Sequence, residues 1–354
     1  MTNHTLSIPQ RLKLLKSIIV ISLILSFCLS YKLWLSERFF PTAPIINLNF
    51  KIDGYLTILS CLCLALSLIF KYERLLILIS ILINTLLVML DLSRLQPWFL
   101  TYNIILMLLL LFNGRVDNPH KNTVIFIYLQ LLIISIYMSN ALYNFNNYFV
   151  EDVLQPFLNQ YTSIFSVRQY GFFIKIGKII PVLVFLIGVA LLFPIARYLA
   201  VSLGILFHLS LIILLFPNST NLNYANWFIN IVFIGVLIIL FFGETKQRYF
   251  SLSILFQKPL FYICLIVFFI TPFVNVFNRN YNVLDINFVQ YPENQQLSFE
   301  FNADKNIPLF VKSFLLTNQQ QAQLKSKQWC LTELHSSLIN HPKVHLALNN
   351  YFQN

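Results

Sequence analysis

Charge is what this chain has least of, and acid above all. Its 354 residues include 13 Asp and Glu against 24 Lys and Arg, and charged side chains make up 10% of the whole. A soluble domain carries about 25%, so a water-facing globular surface cannot be built from this composition. The net charge of +11 is not a nucleic-acid footprint, because the Lys and Arg residues lie in loops and at ends, as orientation signals do. The five cysteines form no C-x-x-C pair, which removes the usual sign of dithiol chemistry. Cys28, Cys61, Cys63 and Cys264 fall in apolar runs, where a thiol is a small hydrophobe. Cys330 stands alone near the end. Ten-residue segments of alternating polarity are missing too, which excludes a transmembrane barrel.

What is present is apolar sequence, 58% of the chain, in runs of a length that crosses a bilayer as helix, roughly 17 to 25 residues each. Lipid leaves no partner for loose backbone groups, so helices are the remaining way to span it. Nine runs are expected: Leu15–Trp34, Leu56–Phe70, Leu75–Leu90, Trp98–Phe112, Val124–Leu142, Phe173–Phe193, Tyr198–Phe216, Trp227–Phe242 and Leu260–Val276. The start, with Arg11, Lys13 and Lys16 before an apolar run, imitates a signal peptide. No small-residue cleavage site follows, so it reads as an uncleaved anchor.

With the N-terminus inside, eleven Lys and Arg fall on the inner side (Arg11, Lys13, Lys16, Lys71, Arg74, Arg115, Lys121, Arg197, Lys246, Arg248, Lys258). Seven fall outside (Lys32, Arg38, Lys51, Arg94, Arg168, Lys175, Lys178). The bias favours a cytoplasmic N-terminus, and an odd number of spans then puts the C-terminus outside. The segment "NNYFVEDVLQPFLNQYTSIF" gathers its apolar residues on one helical face, as a helix lying in the interface or capping the bundle would. From about Arg279 the character changes. "NQQLSFEFNADK" alternates as a strand does, and the later "QQQAQLKSKQWCLTELHSSL" and "HPKVHLALNNYF" read as helices. The expected architecture is therefore an all-α polytopic membrane protein of about nine transmembrane helices (residues 1–278). A small mixed α/β extramembrane module follows (279–354).

Polar groups inside a span are costly, so they are functional candidates by default. His208 is the only Asp, Glu, His, Lys or Arg deep in an expected span. It could be a proton relay, a quinone contact or a metal ligand; the plainer reading is a neutral imidazole bonded to a neighbouring helix. Nothing nearby has metal-ligand spacing, which favours the plainer one, and no metal is expected. Asn84, Asn103, Gln130, Asn140 and Asn230 read as interhelical amides, worth roughly 1 kcal/mol each. Lys175 and Lys178 open the sixth span one turn apart and either bind an anionic substrate or headgroup or snorkel to the interface. Arg197, after Pro194, reads as a topology signal in a short inner turn.

The stretch "LDLSRLQPWFLTYN" holds Asp91 and Arg94, the only charges between Arg74 and Arg115. Asp91, Arg94 and Gln96 are expected in an outer turn, with Trp98 at headgroup level. Asp91 and Arg94 are three apart, so a helical turn would pair them. A tight polar turn and the lining of an outward cavity both fit.

"DLSRLQPWFLTY" also resembles the D-x-x-R-x-Q-P-W-F element of bacterial membrane proteins with an HTTM (vitamin K-dependent γ-carboxylase-like) domain. "YMSNALYNFNNYFVEDVLQPFL" is similar to the family's aromatic-S-G-x-x-K-L-N segment and the amphipathic helix after it. "IIPVLVFLIGVALLFPIARYLAVSLGILFHLSLIILL" resembles its P-x-x-E-x-x-I-G-x-x-L-L, R and H run. The tail segment "LKSKQWCLTEL…HPKVHLALNNYF" is similar to the closing segment of bacterial members. The resemblance covers about residues 10 to 350 and implies the scaffold, in a bacterial inner membrane. It does not carry over the carboxylase chemistry. The position of the family's catalytic lysine reads Asn144, and an amide cannot take up a proton at neutral pH. The glycine before it reads Ala141, the glutamate after Pro181 reads Val184, and "RLQPWFLTYN" has no histidine where the carboxylases have one. Arg197 and His208 are retained.

The leading expectation is a non-carboxylating envelope protein without a cofactor, engaging the lipid bilayer and, through its C-terminal module, an envelope protein. The alternative is a membrane oxidoreductase or carboxylase-like enzyme with a quinone-type cofactor, using His208, Asp91 and Arg94. A transporter is disfavoured, because no pair of broken helices stands in equivalent halves.

Overall fold

The structure is a computed structural model. It describes residues 6–35, 52–91, 94–111, 119–145, 149–154, 166–214, 224–242, 285–290 and 297–302, with the isolated positions 46 and 158. The helices are α1 (Ile8–Leu29), α2 (Tyr31–Trp34), α3 (Asp53–Ser67), α4 (Glu73–Leu90), α5 (Pro97–Leu110), α6 (Pro119–Asn144), α7 (Val167–Gly177), α8 (Ile180–Leu192), α9 (Arg197–Leu214) and α10 (Tyr224–Phe241). Eight of the nine expected runs coincide with these helices; the ninth, Leu260–Val276, lies outside the described residues.

Four helices are long and apolar enough to cross a membrane, or five if α7 and α8 are one bent span. The chain is thus a helical membrane protein. Fewer than nine described helices reach full length. α5 has 14 residues, about 21 Å at 1.5 Å per residue, short of a hydrocarbon core of about 30 Å.

Two boundaries differ from expectation. α1 begins at Ile8, so Arg11, Lys13 and Lys16 lie within the first helix rather than ahead of it. Pro9 is tolerated because a first-turn N–H has no partner inside the helix. The sixth run is broken: α7 and α8 meet at 43°. Pro181, in the first turn of α8, has no N–H to continue the ladder of α7. Of the amphipathic segment after Asn146, Phe149–Leu154 forms a single π-helical turn.

By its contacts the chain divides into two compact units. In the first (Met1–Ile18, Leu111–Leu215, Asn230–Asn280), α8 packs on both α6 and α9. Glycines allow the approach. A Cβ on Gly188 would lie 3.1 Å from Tyr137 Cβ and 2.9 Å from Met138 Cγ, and one on Gly204 2.9 Å from Leu237 Cδ1. In the second (Ile19–Leu110, Phe216–Ile229, Tyr281–Asn354), α3, α4 and α5 pack in sequence order. Here apolar side chains stand on both faces, and polar ones join Ile77, Ile81 and Leu87 on the buried face. On α4, Ser80 and Asn84 are buried while Leu75, Leu78 and Leu82 are exposed. A water-soluble helix keeps its outer face polar; an outer face of leucines with an amide on the inner one suits lipid as solvent.

In the C-terminal segment β1 (Asp285–Gln290) pairs antiparallel with β2 (Leu297–Asn302), Phe288 opposite Phe299. The helices expected beyond residue 319 lie outside the described residues, so a mixed α/β module is not shown.

Candidate functional site

In the second unit the polar centre is Arg94. α4 ends at Leu90, and Asp91 turns to extended backbone as its cap. Arg94 N donates to Asp91 O (3.1 Å) and Gln96 N to Arg94 O (2.8 Å), a tight turn that Pro97 ends by opening α5. The turn drives Arg94 inward. Its guanidinium donates from Nε to Leu33 O (3.1 Å), from Nη1 to Leu87 O (3.0 Å) and from Nη2 to Asp53 Oδ2 (2.5 Å). Asp91 Oδ2 is 3.8 Å from Nε, and the Trp34 ring centroid lies 5.9 Å from the guanidinium carbon.

The partners are chemically consistent. Leu33 and Leu87 are in the last turns of α2 and α4, where the helix dipole is negative; Leu87 O accepts from Arg94 in addition to Asp91 N. Asp53 is the first residue of α3, at the positive end of its dipole. One planar, permanently charged fork thus joins two helix ends and one helix start, which a lysine's point charge could not do.

Asp91 and Arg94 pair across a tight turn, as their spacing of three suggests. The side chains of Asp91 and Arg94 are both fully buried, and Arg94 takes Asp53 as its close carboxylate. Trp98 is 1% exposed. It sits edge-on to Trp34 (6.0 Å), Phe99 (5.9 Å) and Tyr102 (6.2 Å). The physical reason is that burying Arg94 carries the following turn of α5 inward with it. Gln96 is buried as well.

Beside it runs a chain of hydrogen bonds through α3, α4 and α5. Ser60 Oγ bonds Ser80 Oγ (2.8 Å) and donates to Asn84 Oδ1 (2.7 Å). Asn84 Nδ2 donates to Asn103 Oδ1 (2.9 Å), and Asn103 Nδ2 to Phe99 O (2.8 Å). The two asparagines act as the interhelical amides their spacing suggests; the serines carry no signal that marks them in sequence.

In the first unit the polar centre is His208 on α9. Its Nδ1 is 2.9 Å from Asn230 Oδ1 on α10, and its Nε2 is 2.6 Å from the Tyr137 hydroxyl on α6. An amide oxygen only accepts, so Nδ1 carries the proton, and in the neutral ring Nε2 accepts from Tyr137. Phe233 stacks on the imidazole at 5.1 Å. Both ring nitrogens are thus engaged by protein. Among the described residues no three of His, Cys, Asp and Glu gather as a metal would require.

Two arginines in this unit are buried at helix ends. Arg197, expected in a turn as a topology signal, is 5% exposed. It donates from Nε to Leu191 O (3.2 Å) and lies 5.8 Å from the Phe241 ring centroid. Burial fits because Leu191 is in the last turn of α8, whose carbonyls need donors. Arg11 donates from Nη1 to Ile239 O (3.1 Å) and Phe242 O (2.9 Å), closing α10. Gln130 Nε2 donates to Leu240 O at the same end. Arg11 and Arg197, assigned to one side of the membrane by counting charges, therefore meet the same end of α10.

The remaining candidates stand apart. Lys175 and Lys178 are exposed at the end of α7. Asn144 Nδ2 donates to Asn140 O (2.9 Å) and Oδ1 (2.7 Å), one turn back in its own helix. Ala141 and Val184 are buried. Sequence reasoning missed Asp53, Arg11 and Tyr137. Asp53 could have been suspected as an acid opening an apolar run in a chain with 13 acids. Tyr137 and Arg11 have no such mark. Compared with known proteins, the chain matches no family model, no curated protein and no solved structure.

Proposed function

We propose that this is an integral membrane scaffold of HTTM (vitamin K-dependent γ-carboxylase-like) architecture that does not carboxylate. In this reading it lies in a bacterial inner membrane with its N-terminus cytoplasmic. Its C-terminal segment, folded as a mixed α/β module, lies outside and engages an envelope protein, while the helices engage lipid. The observation that carries the reading is Asn144. At the position of the family's base stands an amide that bonds back into its own helix, with nothing that can take up a proton. The engagement of Arg94 and His208 by protein groups supports it further: the charged and basic groups an enzyme would use hold helices together.

One observation favours the alternative, a membrane enzyme with a quinone-type cofactor. The chain Tyr137–His208–Asn230 links three helices through a group able to exchange protons. Native mass spectrometry of the protein, gently solubilised from its own membranes, separates the two. The scaffold reading expects a stoichiometric second polypeptide that is lost on deleting residues 280–354. A retained adduct of quinone size, lost in His208→Phe, overturns it.

A further inference from the structure

We propose that α7 and the two residues after it are a docking surface for anionic phospholipid, a reading that rests on the lipid half of the scaffold proposal. Arg168, Phe172, Lys175, Ile176 and Ile179 are all exposed, and their spacing of 4, 7, 8 and 11 residues from Arg168 places them on one helical face. An apolar stripe is thus edged by basic residues, the composition of a helix in the headgroup layer. The opposite face is already used: Gly177 is buried against Leu154, with no room for a Cβ.

Three further observations select the partner. The side chains of Arg168, Lys175 and Lys178 make no hydrogen bond or ion pair among the described residues. From Val153 to Gly243 the sequence holds no Asp or Glu. The thirteen residues of α8, Ile180–Leu192, carry no charge. Lys175 and Lys178 thus stand just ahead of the charge-free helix, and the 43° bend sets α7 at an angle to it. Exposed Arg168 and Lys175 on the face of Phe172 and Ile176, with Lys178 exposed at the helix end, call for a negative, amphipathic partner, and anionic phospholipid has both properties. A soluble anion would meet the charges and leave the apolar stripe uncovered.

The test is lipid binding by the intact detergent-solubilised protein, followed by native mass spectrometry with phosphatidylglycerol or phosphatidylcholine added. Wild type should prefer phosphatidylglycerol. Each basic residue near a membrane surface is worth about fivefold in affinity, so Arg168→Gln/Lys175→Gln/Lys178→Gln should remove most of the preference. The single Lys175→Gln should reduce it about fivefold, which keeps the test decisive if the triple variant does not fold. A preference unchanged in the folded variants, or absent in wild type, overturns the proposal. Deleting residues 280–354 should leave the preference intact; a preference lost there and retained in the α7 variants assigns it to the tail, and α7 is then wrong while the tail reading stands.

Discussion

Replacing Arg94 by Gln should be among the most damaging single changes in the chain. The substitution removes a donor from Leu33 O, another from Leu87 O, and the cation from Asp53 Oδ2. It also leaves Asp91, whose side chain is fully buried, 3.8 Å from where the charge was. Removing one partner of a buried ion pair costs about 3–5 kcal/mol, because the remaining charge keeps its desolvation without its attraction. Asp53→Asn should cost less, about 1–2 kcal/mol. Its side chain is 13% exposed, and an amide oxygen still accepts from Nη2. Arg94→Lys should resemble Arg94→Gln, since one ammonium cannot reach three acceptors on three helices. Equilibrium unfolding in bicelles, titrated with SDS and followed by tryptophan fluorescence, reads this directly, because Trp34 sits against the guanidinium. Arg94→Gln within about 0.5 kcal/mol of wild type, the ordinary scatter of a surface change, would refute the keystone role. So would an Asp53→Asn loss larger than that of Arg94→Gln.

Gly204→Ala and Gly188→Ala should each cost about 1–3 kcal/mol by overpacking, since their new Cβ atoms meet Leu237, Tyr137 and Met138 at 2.9–3.3 Å. Gly235→Ala, with nothing within 4 Å of its Cβ, should be neutral or gain up to about 1 kcal/mol of helix propensity; equal losses at all three sites in the same SDS titration would contradict the packing argument. His208→Phe keeps the ring against Phe233 but removes the partner of the Tyr137 hydroxyl and one bond to Asn230, and should cost about 1–2 kcal/mol, the range for interhelical bonds in a bilayer. A His208→Phe protein as stable as wild type would count against a structural histidine and direct attention to the enzyme reading.

The sequence by itself determined the solvent and the class. With 10% charged residues and long apolar runs, no other architecture satisfies the backbone in lipid, and eight of nine expected runs are helices. It also marked the residues that matter most, Arg94 and His208, because a charge or a base in an apolar chain is rare enough to stand out. Their partners were not legible. Asp53 is 41 residues from Arg94, and Tyr137 is 71 from His208. Nothing in local periodicity encodes which turn of one helix meets which turn of another.

Only the tertiary structure decided whether these charges face outward or inward. A turn such as "LDLSRLQPWF" has the same composition whether it lines water or folds its arginine under itself. What settles it is the supply of acceptors: Leu33 O, Leu87 O and the Asp53 carboxylate converge where Arg94 can reach them all. The same holds for Arg11 and Arg197, taken from the sequence as surface signals of topology and found closing helix ends. Charge counting predicts the side of the membrane. Burial depends on which acceptors at helix ends lie within reach, and that is a property of the packed helices alone.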